Sequence, residues 1–163
     1  MPLMKKSLVR LWAGVLLAVA PRPVVAAAPP VQTPTVPMCA IVVATPVSFG
    51  LYSVFRAEPT DTTGALSFVC TGATGNVSVG LSGIAADGTR AMTNGPESMA
   101  YNLYLDAART QVWGDGTFGA PPAIYPRPAD GTTITAIMYG RIFAGQDILT
   151  GSYSASLLAT INF

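Results

Sequence analysis

The stretch that decides the fold is GSYSASLLATINF, residues 151–163. Every odd position from Tyr153 onward carries an apolar side chain, whereas five of the six even positions from Ser152 to Asn162 are polar, Leu158 being the exception. Such a two-residue period predicts a β-strand with one buried face. Because the alternation continues to the last residue, we expect a core strand at the end of the chain whose outer edge needs a partner. The predicted buried face comprises Tyr153, Ala155, Leu157, Ala159, Ile161 and Phe163.

The rest of the chain shows the same alternation in short segments separated by turns. Nowhere does a helical period extend over ten residues. About six or seven short strands joined by turns are typical of an antiparallel β-sandwich of the immunoglobulin type. We place turns at residues 58–64 and 94–96, and a proline-rich loop at residues 120–128. The predicted extended segments are 39–43, 47–52, 65–71, 76–82, 90–92, 99–106, 132–143 and 151–163.

Residues 1–26 have the composition of a secretory signal peptide. Three cations precede the apolar run of residues 11–20, and small residues follow the run. A membrane-spanning helix needs about 18 or more unbroken apolar residues, whereas this run ends at Pro21. We expect cleavage after Ala26, with cleavage after Ala20 as the alternative, and export from the cytoplasm.

Residues 27–38 form a leader that contains four prolines and no sustained alternation. Such a segment is expected to be extended and weakly ordered. Because proline lacks a backbone N–H, the leader is a weak candidate for a strand that pairs with another chain. The folded domain is predicted to span residues 39–163.

The predicted mature chain offers little to nucleic acids or to catalysis. Removal of residues 1–26 leaves five arginines, no lysine and eight acidic residues, a net charge of −3. Neither nucleic acid nor an anionic membrane surface is therefore an expected partner. The chain contains no histidine, which is the commonest general base and metal ligand. We expect no enzymatic activity, no cofactor and no stable membrane insertion.

The acidic residues are placed as turn formers rather than as catalytic pairs. Glu58 and Asp61 lie three residues apart in a turn-like segment, and other aspartates precede glycines. Asp106, Asp115 and Asp147 carry the oxygen ligands that calcium prefers, but none of them lies in a loop of regularly spaced ligands. The sequence therefore predicts no metal site.

Cys39 and Cys70 are the two cysteines of the chain. In an exported protein they are expected to form one disulfide, and the alternative is a pair of free buried thiols. A disulfide across this loop would stabilise the fold by roughly 3–4 kcal/mol on the chain-entropy model. Trp113, the tryptophan of the mature chain, is expected to anchor the core, with stacking on a sugar as the alternative.

Seven short motifs follow one another along the chain and resemble the spore coat protein U domain, the pilin fold of archaic (Csu-type) chaperone-usher pili. The motifs are FGLY at 49–52, DTTG at 61–64, Arg90 with Met92, YNLY at 101–104, WGDGT at 113–117, YGRI at 139–142 and GSY at 151–153. The resemblance covers residues 39–163. The positions that carry it are Phe49, Gly50, Tyr52, Arg90, Met92, Tyr101, Tyr104, Trp113, Gly114, Asp115, Gly116, Tyr139, Gly140 and Gly151.

This resemblance implies an incomplete immunoglobulin-like sandwich that lacks its last strand. In such pilins a periplasmic chaperone lends a strand to the open groove, and at the outer-membrane usher the donor strand of the next subunit replaces it. The implied partners are a chaperone, an usher and other pilins, in a surface pilus that serves adhesion and biofilm formation. The six apolar residues of 151–163 would line the groove, and the carboxylate of Phe163 would anchor the chaperone.

Two features depart from the family pattern. Ala155 stands where members usually carry an aspartate, and the leader is rich in proline. The leader favours a minor or end-of-fibre subunit, although tip adhesins of such pili carry two domains and one domain is predicted here. Two alternatives are an adhesive module, whose loops 120–128 or 145–150 contact a surface or a glycan, and a self-sufficient secreted coat protein with a complete sandwich.

Overall fold

The computed structural model describes residues 36–163, so the predicted signal peptide and most of the leader lie outside the described residues. Eight β-strands and one short 3-10 turn, Thr117–Gly119, make up this part of the chain. The strands are β1 (Met38–Thr45), β2 (Thr60–Thr71), β3 (Val77–Leu81), β4 (Arg90–Asn94), β5 (Glu97–Tyr104), β6 (Ala123–Tyr125), β7 (Thr133–Ile142) and β8 (Ala159–Asn162).

Five strands form the large sheet, which has the order β1-β2-β7-β5-β4 and is antiparallel throughout. In β2 the side chains of Leu66, Phe68 and Cys70 are buried, and the intervening residues are more exposed. This is the burial that a two-residue period dictates for a strand with one covered face. β1 lies at the edge of the sheet, and most of its residues are exposed.

Three strands form the small sheet, which has the order β6-β3-β8 and is also antiparallel. Its central strand, β3, buries Val77, Val79 and Leu81. β8 pairs with β3 from Ser78 opposite Asn162 to Leu81 opposite Ala159. β3 is therefore the central strand of the small sheet, and two short strands form its edges.

The core draws buried side chains from both sheets. Phe68 of β2 and Tyr125 of β6 meet edge to face at 5.2 Å. The predicted all-β class and the antiparallel two-sheet architecture are confirmed, with eight strands instead of six or seven. The buried apolar cluster comprises Leu66, Phe68, Cys70, Ala73, Val77, Val79, Leu81, Met92, Met99, Tyr101, Leu103, Trp113, Ala123, Ala136, Met138 and Ile142.

The prediction of a strand at 47–52 is wrong. The segment has no ladder partner in the described chain, and Gly50 adopts a φ of 71°, which interrupts an extended backbone. Val47 and Phe49 nevertheless pack against the core. Their apolar character therefore reflects burial without strand pairing.

Two segments predicted as irregular are partly strands. β2 begins at Thr60, inside the predicted turn 58–64, where its ladder with β7 starts and Asp61 bonds to Arg141 of β7. β6 lies within the predicted loop 120–128 and pairs with β3 through three residues. In both cases a tertiary partner overrides a composition that is typical of turns.

The predicted strand 151–163 is much shorter in the structure. Ser154 forms an isolated bridge with Thr93 of the large sheet, through hydrogen bonds of 2.9 and 3.1 Å. Leu158 then bonds to Ser82, and continuous pairing with β3 begins at Ala159. The segment crosses from one sheet to the other, which is why its even alternation does not produce one ladder.

None of the helices among residues 36–163 is long and apolar enough to cross a membrane.

Candidate functional site

β8 is a sheet edge with one side paired. Its ladder with β3 occupies one edge, and no strand of residues 36–163 pairs with the other. Ile161 packs against the core but remains partly exposed, whereas Val79, its register partner on β3, is fully buried. An unpaired edge with a half-covered apolar face can accept an added strand.

The six apolar residues predicted to form one face are placed unequally. Tyr153, Leu157, Ala159 and Ile161 pack against the core while staying partly exposed. Ala155 and Phe163 are exposed, Phe163 by 54%. The structure thus packs four of the six residues against the core and leaves the other two exposed.

A groove of about 920 Å³, lined largely by apolar side chains, lies beside the segment that leads into β8, although no residue of β8 itself lines it. Met92, Met99 and Ile142 contribute to its lining from the large sheet. Two irregular segments form its sides and are called here the first wall, residues 46–55, and the second wall, residues 148–153. Tyr153 belongs both to the second wall and to the alternating face.

The rim of the groove carries bulky apolar side chains in water. Leu51 and Phe55 of the first wall are each 95% exposed, and Leu149 of the second wall is 64% exposed. Isolated exposed apolar residues are ordinary, but a cluster around a groove indicates an interaction surface.

Two glycines allow the first wall to lie on the large sheet. A Cβ at Gly64 would come within 2.7 Å of Val47, and a Cβ at Gly140 within 2.7 Å of Val47 and 2.9 Å of Phe49. The ring of Phe49 then meets Tyr101 at 6.0 Å, edge to face. Any larger residue at these two glycines would displace the wall and alter the groove.

The opposite side of β3 is held by a buried arginine and a buried tryptophan. Arg90 Nη2 donates to the carbonyls of Leu81 and Trp113, and its Nε donates to that of Ser82. Burial lowers the pKa of Arg90. Trp113 is 1% exposed and donates its indole N–H to Val79 O at 2.7 Å, so it occupies the core as expected from the sequence.

Other predicted motif positions hold turns and strand pairs. Tyr104 faces Tyr139 across the β5–β7 ladder. Asp115 accepts hydrogen bonds from the hydroxyl and the N–H of Thr117, which lower its pKa. The remaining motif glycines are Gly114 beside Ala120, Gly116 before the 3-10 turn, and Gly151 in contact with Asn94.

The disulfide between Cys39 and Cys70 is confirmed, with an S–S distance of 2.03 Å. The two residues face each other in the β1–β2 register. The bond therefore fastens the largely exposed edge strand β1 to β2, the next strand of the large sheet.

Residues 36–163 contain no group of three or more His, Cys, Asp or Glu side chains that could hold a metal ion. Asp106 instead accepts hydrogen bonds from the backbone of Thr110 and Gln111, which lower its pKa. Asp61 accepts two hydrogen bonds of 2.8 Å from Arg141 and lies 3.3 Å from Arg109. These carboxylates organise turns and surface ion pairs.

Sequence reasoning missed most of the groove. The sequence predicts a strand at 47–52, within the first wall, and it assigns the second wall to the approach 145–150 and to the start of the final strand 151–163. The available signal is the pair of bulky apolar residues Leu51 and Phe55 near Gly50, which interrupts the alternation of Val47 and Phe49. Their near-complete exposure, 95% for each, is what the structure adds and what indicates an interaction surface.

The family model of the Spore Coat Protein U domain matches residues 26–160. The match covers most of the chain, and the protein belongs to this family. No curated protein matches the sequence.

Among solved structures, the chain resembles one from the complex of the chaperone CsuC with the tip adhesion subunit CsuE, from the archaic chaperone-usher Csu pili of Acinetobacter baumannii. The TM-score is 0.55 at 17% sequence identity. The alignment covers 78% of this chain and 40% of the matched chain, so the protein spans about two fifths of that chain's length. At this identity the likeness shows a shared fold.

Proposed function

We propose that this protein is a structural, non-catalytic subunit of a chaperone-usher pilus that assembles by donor-strand exchange. The observation that carries the proposal is β8, whose outer edge has no partner strand in residues 36–163 and whose apolar face is half exposed. An extended strand from another chain would bond to the main chain of β8. Its alternate side chains would enter the apolar surface between the sheets.

The energy of such a contact is comparable to the stability of a domain. Four or five donor side chains buried at roughly 1.5–3 kcal/mol each amount to about 10 kcal/mol. A typical domain is stable by about 5–15 kcal/mol. The free subunit is therefore expected to be marginal and prone to aggregation until a strand is supplied.

The proposed partners follow from this assembly. A periplasmic chaperone supplies the first strand, an outer-membrane usher is the site of exchange, and a neighbouring pilin supplies the final strand. Family membership and the fold shared with a subunit from a chaperone complex support these partners. The signal-peptide composition of residues 1–26 supports export to the periplasm and then to a surface fibre that serves adhesion and biofilm formation.

The leader supports a minor or end-of-fibre position. Pro29, Pro30, Pro34 and Pro37 each remove a backbone donor from residues 27–38. A donor strand needs those N–H groups to pair with a neighbour's edge. The subunit is thus better equipped to receive a strand than to give one.

The test is peptide complementation of the oxidised mature protein, residues 27–163. The alternating peptide has twelve residues of alternating valine and threonine between terminal lysines, and the scrambled peptide has the same composition without alternation. We expect the alternating peptide to raise the melting temperature by about 5–15 °C and to favour the monomer in size-exclusion chromatography. A stable monomer that ignores both peptides would indicate a complete sandwich and would favour the coat-protein alternative.

A further inference from the structure

One tyrosine connects the first wall of the groove to the segment that leads into the second wall. The hydroxyl of Tyr52, on the first wall, donates to Phe143 O at 3.2 Å and accepts from Gln146 N at 2.9 Å. Phe143 and Gln146 belong to the segment that connects β7 to the second wall. Among the hydrogen bonds of residues 36–163, these are the two that connect the first wall to that segment.

The segment that Tyr52 holds is itself fixed to the large sheet. β5 pairs with β7 up to Tyr101 opposite Ile142, which leaves Ala100 just beyond the last pair. The Gln146 side chain takes the place of the next β7 residue. Its Oε1 accepts from Ala100 N at 2.6 Å, and its Nε2 donates to Ala100 O at 2.8 Å.

The phenol therefore connects a wall without ladder pairing to a segment that is bonded to the large sheet. The first wall has no ladder of its own, whereas the Gln146 side chain bonds to two backbone atoms of Ala100 on β5 and to Phe143 O, at 2.9 Å, in its own turn. Without the Tyr52 hydroxyl, the packing of Val47 and Phe49 on the sheet would hold one end of the wall. The end that carries Leu51 and Phe55 would have no polar tie.

We propose that Tyr52 is a positioning residue that fixes the separation of the two walls and thereby sets the affinity of the groove for an incoming strand. This inference rests on the proposed function. A groove that is already held open at the bound width spares the incoming strand the cost of ordering both walls, which is how preorganisation raises affinity. Tyr52 acts through the walls and need not touch the strand.

The experiment compares Tyr52→Phe with wild type for binding of the alternating peptide, by fluorescence titration at a temperature where both are folded. We expect binding about tenfold weaker, the effect of losing about one net hydrogen bond. The matched control is Ser67→Ala, which removes a side-chain hydrogen bond to Thr135 Oγ1 of 2.8 Å on an exposed part of the large sheet. It should leave the peptide affinity unchanged.

A second readout separates positioning from general stability. Amide hydrogen exchange without peptide should be faster in residues 46–55 and at Gln146 in Tyr52→Phe, and unchanged there in Ser67→Ala. If wild type distinguishes the alternating from the scrambled peptide but Tyr52→Phe binds like Ser67→Ala, the positioning role is overturned and the proposed function stands. If wild type binds the alternating and the scrambled peptide equally, both the positioning role and the proposed function are contradicted.

Discussion

The two sides of β3 differ in how completely the neighbouring side chains are buried and the strand edges are paired. On the Trp113 side, Val79 is fully buried, the indole N–H has an acceptor, and Arg90 satisfies three backbone carbonyls. On the β8 side, the facing Ile161 is partly exposed and the outer strand edge has no partner among residues 36–163. The same strand therefore supports a closed core on one side and an open binding edge on the other.

This difference shows how a domain can be folded and still able to bind a strand from another chain. The buried side chains and hydrogen bonds of the closed side hold β3 in the core. The open side keeps main-chain groups and apolar side chains available for another chain. The predictions below test whether the two sides carry these separate roles.

The largest effect is expected at the closed side. Trp113→Ala should destabilise the free domain by about 3–5 kcal/mol, because it leaves a large cavity and also removes the donor to Val79 O. Chemical denaturation of the oxidised mature protein measures this. Trp113→Phe, which keeps most of the volume, should cost less. A loss below about 1 kcal/mol for the alanine variant would mean that the closed side is not the source of stability.

The second effect concerns the edge strand β1. Replacing Cys39 and Cys70 together by serine should cost about 2–5 kcal/mol, because the disulfide restricts the unfolded chain and fastens β1 to β2. Thermal unfolding of the double variant and of reduced wild type should give similar losses. If both melt like the oxidised protein, β1 is held by its ladder alone.

The third prediction compares neighbouring residues across the β3–β8 ladder. Leu81→Ala removes a side chain that is 3% exposed and should cost about 2–5 kcal/mol. Ile161→Ala should cost the free domain roughly half as much, because part of its surface is already in water. Denaturation without peptide checks this order.

The same pair of variants should reverse its ranking in binding. Ile161→Ala should weaken the binding of the alternating peptide by about tenfold, because the peptide then loses its apolar contact with about two methylene groups. Leu81→Ala should leave the affinity of the folded protein unchanged. Equal losses of stability and equal affinities for the two variants would remove the distinction between the closed and the open side.

The sequence predicted the closed side well because burial on one face imposes a period of two. Leu66, Phe68 and Cys70 on β2, and Val77 and Val79 on β3, alternate and are buried. Local alternation and tertiary burial agree at these positions, so no distant information is needed. The disulfide followed from the number of cysteines and the predicted export.

The open side was harder because its geometry depends on distant residues. Val47 and Phe49 lie where they do because Gly64 and Gly140, on two other strands, have no side chains. In residues 151–163 the alternation predicts one buried face, but a period of two does not say which strand supplies the partner. Ser154 pairs with β4 and Ala159 with β3, so one periodic stretch serves both sheets.

The smallest effect is expected at a surface ion pair that belongs to neither side. The hydrogen bond from Arg141, with a further contribution from the charge of Arg109, lowers the pKa of Asp61 despite partial burial. A carboxyl whose pKa is lower in the folded state adds stability above its unfolded pKa of about 3.9, and this stability is lost as the pH falls through the folded value. Asp61→Asn should therefore cost at most about 1 kcal/mol at pH 7.

The pH dependence identifies this ion pair. The difference in unfolding free energy between wild type and Asp61→Asn should shrink as the pH falls below about 4, because protonation removes the charge that the variant lacks. Asp87, Asp106 and Asp115 also have lowered pKa values, but they are present in both proteins and cancel in the difference. Peptide affinity should not change, because Asp61 lines neither wall of the groove. A difference that persists undiminished at pH 2 would place the effect in packing instead of charge.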